Sequence, residues 1–63
     1  MGFHDARKKA GLTQDEVAKV LGVTPASVSM WETGRMMPRA YLLPKIATLY
    51  GCTIEELMTS DKE

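Results

Sequence analysis

The side chains that enzymes use for catalysis are too few and too scattered in this chain to predict an active site. The sequence contains one histidine, His4, and one cysteine, Cys52. Covalent or acid–base catalysis needs a nucleophile, a base and an orienting group within hydrogen-bond reach, and the sequence offers no such constellation. A cluster of cysteine and histidine ligands for a structural metal is also missing. We therefore expect no enzyme and no cofactor, with Cys52 acting as a small buried hydrophobe.

The remaining chemistry is the recognition of anions by charge. The 63 residues carry no net charge, but the charge is unevenly distributed. Residues 1–45 hold seven basic and four acidic side chains, a net charge of +3, whereas residues 46–63 have a net charge of −3. A chain polarised in this way can present a basic face to phosphate groups while its acidic end points away. An ordinary solvated surface explains the same distribution, so charge alone leaves both interpretations open.

A helix start signal at residues 12–17 predicts the first element that would position such a face. Thr13 is the N-cap and Glu16 is the acid three residues later, and together they form a capping box. Leu12 and Val17 flank the box as a hydrophobic staple. Gly22 ends the helix, because glycine adopts the left-handed conformation there without steric cost.

A second start signal follows after only three residues. Thr24 is its N-cap, Pro25 takes the first helical position, where its missing N–H is harmless, and Gly34 ends the helix. Two short helices joined by so tight a turn must cross steeply, as in the helix-turn-helix motif. That crossing places the second helix, Pro25–Thr33, on the outside, where it can enter a DNA major groove.

Three further helices complete the prediction of an all-α fold. Apolar residues at helical spacing indicate a first helix over residues 2–10 and a fourth over residues 42–50, after a basic loop rich in helix breakers. The fifth helix covers residues 54–58, because Thr53 and Glu56 repeat the capping pattern of the second. Residues 1–58 are thus expected to form one domain, followed by a polar tail, residues 59–63.

The apolar side chains at these spacings predict a single core. Trp31 follows Val28 by three residues on the inward side of its helix, so we expect it to anchor the core rather than to stack on a nucleic-acid base. The predicted core consists of Leu12, Val17, Ala18, Leu21, Val28, Trp31, Leu43, Ile46, Ala47, Tyr50, Ile54 and Leu57.

Several stretches of the sequence resemble the Cro/repressor-type (XRE-like) helix-turn-helix family. Phage repressors and many small bacterial regulators and antitoxins belong to this family. The resemblance implies a compact five-helix, lambda-repressor-like DNA-binding domain that usually acts as a dimer on a two-fold symmetric operator. It also implies a transcriptional regulator, with repression as the expected effect. The matching stretches are residues 11–14, 21–24, 28–35 and 46–57, together with Ala18 and Pro38.

The resemblance also implies which side chains contact DNA. Those that match contacts with the DNA backbone are Gln14, Thr24, Thr33 and Arg35, and we add Arg39 from the basic loop. Those that match the base-reading face of the second motif helix are Pro25, Ala26, Ser27, Ser29 and Met30.

Arg7 and Glu32 match an ion pair that joins the first helix to the third in this family. Electrostatics supports the pair, because an unpaired Glu32 near phosphates would repel them. Two separately solvated charges are the alternative.

The base-reading face departs from the family pattern in its chemistry. It lacks the arginine, lysine, glutamine or asparagine side chains that make bidentate contacts with base edges. Ala26 and Met30 can pack on thymine methyl groups, while Ser27 and Ser29 can bond to several bases. Pro25 removes an N–H that would otherwise meet a phosphate. We therefore expect modest direct readout, with DNA shape and flanking contacts carrying more of the specificity.

The alternative function is a protein-interaction module of the same fold, such as an antitoxin or a regulatory subunit. Ala26, Met30, Met36 and Met37 favour it, because apolar and methionine-rich surfaces suit adaptable contacts. The pair Met36 and Met37 can equally pack within its own loop or contact a second copy of the chain.

The expected partners are double-stranded DNA, with a palindromic operator, and a second copy of the chain. The apolar C-terminal residues Ile54, Leu57 and Met58, or the loop with Met36 and Met37, should supply the dimer contact, in solution or only on DNA. No apolar run approaches the roughly 20 residues of a membrane span, and no signal-peptide pattern is present. We therefore expect a cytoplasmic protein with no membrane partner, and no site for a small-molecule effector is evident.

Overall fold

The computed structural model of the chain describes residues 2–58. No strand occurs in this range, which confirms the predicted all-α class with five helices. The predicted tail lies outside the described residues, so the domain boundary after Met58 stays a prediction. The helices are α1 (Phe3–Lys9), α2 (Gln14–Leu21), α3 (Pro25–Thr33), α4 (Leu43–Tyr50) and α5 (Ile54–Met58), and a 3₁₀ turn covers Ala40–Leu42.

The ends of α2 and α3 follow the capping signals in the sequence. The Thr13 hydroxyl accepts the backbone N–H of Glu16 at 3.1 Å, and the Glu16 carboxylate accepts that of Thr13 at 2.9 Å, so the predicted capping box is confirmed. At the start of α3 the Thr24 hydroxyl accepts the N–H of Ser27 at 3.1 Å. Gly22 ends α2 with φ of 74°, a left-handed conformation that a side chain would strain. The chain can therefore turn and begin α3 three residues later.

The start of α4 differs from the predicted fourth helix. The prediction began at residue 42, whereas the α-helix begins at Leu43, after the 3₁₀ turn. Arg39, which precedes the turn, makes no side-chain cap, and Pro44 has no N–H to donate. The chain therefore enters α4 through a tighter turn, in which the Leu42 N–H donates to the Arg39 carbonyl at 2.9 Å. Likewise, α1 is one residue shorter at each end than predicted.

The predicted core is largely confirmed, with one error. Trp31 is 5 % exposed, and its ring centroid lies 6.5 Å from that of Phe3, as expected of a core anchor. Ile54 was wrongly placed in the core: it is 37 % exposed, because it opens a five-residue helix whose buried side is marked by Leu57. Leu12, Leu21 and Leu43 are only partly buried against the core. Besides Pro38, the buried apolar residues are Phe3, Ala6, Val17, Ala18, Val28, Trp31, Leu42, Ile46, Ala47, Tyr50 and Leu57.

The packing leaves one side of α3 turned away from the core. α1 contacts α3, α4 and α5, and α2 packs against α3. Val28 and Trp31 mark the buried side of α3. None of the helices within residues 2–58 is long and apolar enough to cross a membrane.

Candidate nucleic-acid interface

The outer face of α3 lies opposite its buried side. Val28 is fully buried and Trp31 is nearly so. Because successive residues of an α-helix are rotated by about 100°, Ala26, Met30 and Thr33 lie on the side away from those two side chains, and Ser29 borders that side at the edge opposite Met30. Ala26 and Thr33 are exposed and Met30 is half-buried. We call these three residues the outer stripe of α3, and two of them, Ala26 and Met30, are predicted base-reading residues.

Ser27 lies on a flank of α3 rather than on the outer stripe. Its hydroxyl oxygen accepts a hydrogen bond from the Thr24 hydroxyl at 3.1 Å, in addition to the backbone cap. It also lines a cavity of about 190 Å³ together with the loop residues Met36 and Met37. The structure thus places Ser27 between the outer stripe and the loop that follows α3.

The opposite flank of α3 carries Pro25, Ser29 and Glu32. Pro25 is exposed and Ser29 is half-buried. The Glu32 side chain is only 6 % exposed and accepts two hydrogen bonds from Arg7 of α1, Nε to Oε2 at 2.5 Å and Nη2 to Oε1 at 3.2 Å. The ion pair that the resemblance implies is thus formed, and it ties α1 to α3.

A third side chain joins this ion pair. Nε2 of Gln14, at the start of α2, donates to Oε1 of Glu32 at 3.1 Å, so one carboxylate links α1, α2 and α3. This bond could not be predicted from the sequence, because 18 residues separate its partners and no local signal pairs them. Because one of the two N–H donors of the Gln14 side chain is bonded to Glu32, the second N–H and the backbone N–H groups in the first turn of α2 are the donors for an anion.

The network also neutralises the charge of Glu32. Burial alone would raise the pKa of the Glu32 carboxyl, but the hydrogen bonds from Arg7 and Gln14, with the charge of Arg7, lower the pKa below its ordinary value. The bond to Glu32 in turn raises the pKa of the Arg7 guanidinium. Both groups are therefore ionised at neutral pH and compensate each other. A phosphate near the start of α2 would meet little repulsion from this carboxylate.

The other predicted backbone contacts lie at the ends of α3 and in the loop beyond it. Thr24, Thr33, Arg35 and Arg39 are all exposed. The Thr33 hydroxyl donates to the Met30 carbonyl at 3.3 Å, and the Thr24 hydroxyl donates within its own cap. The two hydroxyl protons are thus engaged within the chain. The guanidinium groups of Arg35 and Arg39 are therefore the stronger candidates for phosphate contacts.

The loop after α3 exposes a group of large side chains. Met36, Met37 and Tyr41 are 49, 54 and 66 % exposed. With Arg39 they line the same cavity of about 190 Å³ against the Ser27 flank of α3. The two methionines both pack within the loop and remain half exposed, so both of their predicted roles stay open. Tyr41 was not predicted as a surface residue of interest, and only its place in a basic, breaker-rich loop marks it in the sequence.

A second concave region lies between α2 and α4. It encloses about 450 Å³ and is open to solvent and almost wholly apolar. Ligand sites bury most of their ligand around a few convergent polar groups, so this hollow gives no reason to add a small-molecule effector. No cluster of three metal-ligating side chains occurs within residues 2–58. The hollow is lined by Val20, Leu21, Pro44, Lys45, Thr48 and Leu49.

Several known proteins are similar in sequence to this chain over most of its length. The chain is 39 % identical over 61 residues to an uncharacterized HTH-type transcriptional regulator of Archaeoglobus fulgidus, covering 97 % of this chain and 87 % of the relative. It is 36 % identical over 61 residues to the cryptic phage CTXphi transcriptional repressor RstR of Vibrio cholerae, covering 97 % of this chain and 54 % of that protein. It is 32 % identical over 56 residues to the HTH-type transcriptional activator BcrR of Enterococcus faecalis, covering 89 % of this chain and 28 % of that protein.

No solved structure matches the chain at a significant level. A sequence profile of the helix-turn-helix family matches residues 3–57. This range contains all the helices from α1 to α4 and the first four residues of α5. The chain therefore belongs to the helix-turn-helix family.

Proposed function

We propose that the protein is a transcriptional regulator that binds double-stranded DNA sequence-specifically, with α3 in the major groove. The observation that carries the proposal is the outer stripe of α3, which is turned away from the core at the outer edge of the motif. An α-helix with its side chains is about 10–12 Å wide and fits a major groove about 12 Å across. The similar proteins of A. fulgidus and V. cholerae, named a transcriptional regulator and a transcriptional repressor, support the assignment.

Contacts with the DNA backbone would hold α3 in the groove. The first turn of α2, at Gln14, offers backbone N–H groups and the positive end of a helix dipole to one phosphate. Arg35 and Arg39 supply charge-assisted hydrogen bonds on the loop side. Thr24 and Thr33 lie at the two ends of α3, close to where the backbone would pass. Such contacts fix the register of the protein on DNA and carry no sequence information.

Base readout falls to Pro25, Ala26, Ser29 and Met30. Their side chains lie on the outer stripe or on the flank towards Glu32, within the part of α3 that would face the base edges. Ser27 is placed less directly for a base contact, because it lies on the flank towards the loop and its hydroxyl oxygen accepts a hydrogen bond from Thr24.

We also propose a homodimer on a palindromic operator. One recognition helix covers only a few base pairs, whereas a two-fold dimer doubles the contacts and places the two helices about 34 Å apart, one turn of DNA. The exposed apolar side chains that can make the contact are Met36 and Met37 in the loop and Ile54 and Met58 in α5. Leu57, which the sequence offered as a dimer residue, is 2 % exposed and belongs to the core instead.

Repression is the effect on transcription that we propose first. A bound dimer represses by occupying a promoter, whereas activation requires a further contact with the transcription machinery. One similar protein is named a repressor and another an activator, so the names of the relatives are compatible with either effect on transcription. We place the protein in the cytoplasm, where its proposed partner DNA lies in prokaryotes such as these relatives.

Selection from a random pool of duplexes tests the proposal. The parent protein is expected to enrich a palindrome whose half-sites lie about 34 Å apart. Arg35→Ala should weaken binding to selected and scrambled duplexes alike, by about fivefold to tenfold for one charged phosphate contact. Ser29→Ala should instead change the preferred base at one position, by about 1–3 kcal/mol.

Lys45→Ala is the matched control for Arg35→Ala. It also removes one exposed positive charge, but beside the hollow between α2 and α4. Affinity and preferred sequence should both stay at the parent's values. Equal losses in the two variants, or a pool from which no sequence is enriched, would contradict the proposed interface.

A further inference from the structure

We infer that Ala26 and Met30 recognise thymines in each half-site through the C5-methyl group of the base. This inference rests on the proposed function, because it names the base chemistry that the DNA-contacting face selects. It starts from the outer stripe of α3, which presents apolar atoms where base-reading helices present hydrogen-bond donors and acceptors.

The spacing of the two side chains along α3 is close to that of bases two steps apart. Ala26 and Met30 are four residues apart and lie on the same side of α3. Their positions differ by about 6 Å along the helix axis, close to two steps of about 3.4 Å along one DNA strand. One helix lying along the groove can therefore place one apolar side chain on each of two nearby bases.

Two threonine hydroxyl groups, one on this stripe and one at the start of α3, donate to the protein itself. The Thr33 hydroxyl donates to the Met30 carbonyl at 3.3 Å, and the Thr24 hydroxyl donates to Ser27 at 3.1 Å. The hydroxyl proton of Thr33, on the outer stripe, is thus used within α3. The methyl group is the part of this side chain that can make an apolar contact. The outer stripe itself is therefore more apolar than the sequence alone indicates, while Ser29 beside it is the polar contact.

Only one base edge in the major groove matches such a surface. Guanine presents two acceptors, adenine an acceptor and a donor, and cytosine a donor, whereas thymine adds a methyl group to its acceptor. Ala26 and Met30 cannot satisfy the polar edges, and an unpaired polar group that is buried costs free energy. The stripe therefore favours thymine and disfavours guanine and cytosine at the positions that it covers.

Deoxyuridine tests this contact alone, because its base, uracil, differs from thymine only by the absence of the C5-methyl group. The probe is the duplex that the parent protein enriches from a random pool, with each thymine replaced in turn by deoxyuridine. Loss of one buried methyl contact should weaken binding by about fourfold. We expect this loss at one or two thymines of each half-site and no change at thymines outside the half-sites.

Variants assign the contact to the two side chains. Met30→Ala and Ala26→Gly should each bring the affinity ratio of thymine to deoxyuridine duplex to about one at the position that the residue covers. Lys45→Ala, beside the hollow between α2 and α4, is the control and should keep the parent's ratio at those positions. Because each ratio compares two duplexes with the same protein sample, any loss of folded protein cancels.

The outcomes separate this inference from the proposed function. Sequence-selective binding that is insensitive to deoxyuridine at every thymine would refute thymine recognition and leave the DNA-binding function intact. An enriched half-site without thymine opposite α3 would refute it as well. Absence of duplex binding would overturn both.

Discussion

Glu32→Ala is expected to lower the free energy of unfolding by about 3–5 kcal/mol, because it leaves a buried guanidinium without its partner. The Arg7 side chain is 11 % exposed and the Glu32 side chain 6 % exposed, so water cannot replace the lost carboxylate fully. Gln14 loses its hydrogen-bond acceptor in the same variant. A domain of this size rarely has more than about 3–5 kcal/mol of stability from its core, so the variant should be largely unfolded at 25 °C. Far-UV circular dichroism with urea titration measures the loss.

The exposed pair of His4 and Asp5 supplies the control for this variant. Their side chains are 57 and 58 % exposed and lie 3.6 Å apart, so Asp5→Ala should change stability by less than about 1 kcal/mol. Replacing both members of the buried pair, Arg7→Met with Glu32→Leu, should recover most of the loss, because no buried charge is left unpaired. A Glu32→Ala variant as stable as Asp5→Ala would show that the network contributes nothing.

Acid titration gives a second readout of the same ion pair. The pKa of Glu32 is lowered in the folded protein, so the unfolded chain takes up the proton first as the pH falls. The stabilisation from this group is therefore complete above about pH 4.3, the ordinary glutamate pKa, and is lost as the pH falls through the lowered folded value. Glu32→Gln cannot titrate, so its stability should fall less steeply over this range than that of the parent protein.

Trp31→Ala is expected to cost about 3–5 kcal/mol, the range for removing a large aromatic side chain from a core. Trp31 is 5 % exposed and packs against Phe3 between α1 and α3. Its loss would leave a cavity beneath the recognition helix, next to the existing cavity of about 190 Å³ that it lines. Urea unfolding followed by far-UV circular dichroism measures the effect.

Trp31→Phe separates this core role from a role in base stacking. It keeps an aromatic ring in the core and should cost clearly less than the alanine variant. Its affinity for the selected duplex should equal that of the parent, because a buried ring does not reach a base. A variant that is stable but loses DNA affinity would contradict the assignment of Trp31 to the core.

The elements that depend on neighbouring residues could be predicted from the sequence. The capping box of Thr13 and Glu16 and the Thr24 cap are local, so spacing alone located α2 and α3. The start of α4 was predicted less well, because it depends on Pro44 and on a 3₁₀ turn that leaves no strong pattern. Ile54 was misplaced because the buried side of a five-residue helix is set by tertiary packing rather than by periodicity.

In the candidate interface, the sequence likewise predicts what the helix backbone fixes but not what side-chain conformation fixes. Ala26 and Met30 could be assigned to the outer face from helical spacing, and the structure places them there. The bond between Gln14 and Glu32 and the engagement of Ser27 with Thr24 could not, because each depends on side-chain conformation. The first contact engages one side-chain N–H of Gln14 and the second engages the hydroxyl proton of Thr24, and both residues were predicted to contact DNA.

The salt dependence of duplex binding tests the central claim of DNA recognition most directly. If Arg35 and Arg39 of both protomers neutralise four phosphates, log affinity should fall linearly with log salt at a slope of about −3.6. Between about 50 and 200 mM salt the affinity for the selected duplex should then fall by about two orders of magnitude. A protein that shows no salt-dependent binding to any duplex would contradict the account, and the exposed apolar face of α3 would then belong to a protein-interaction module.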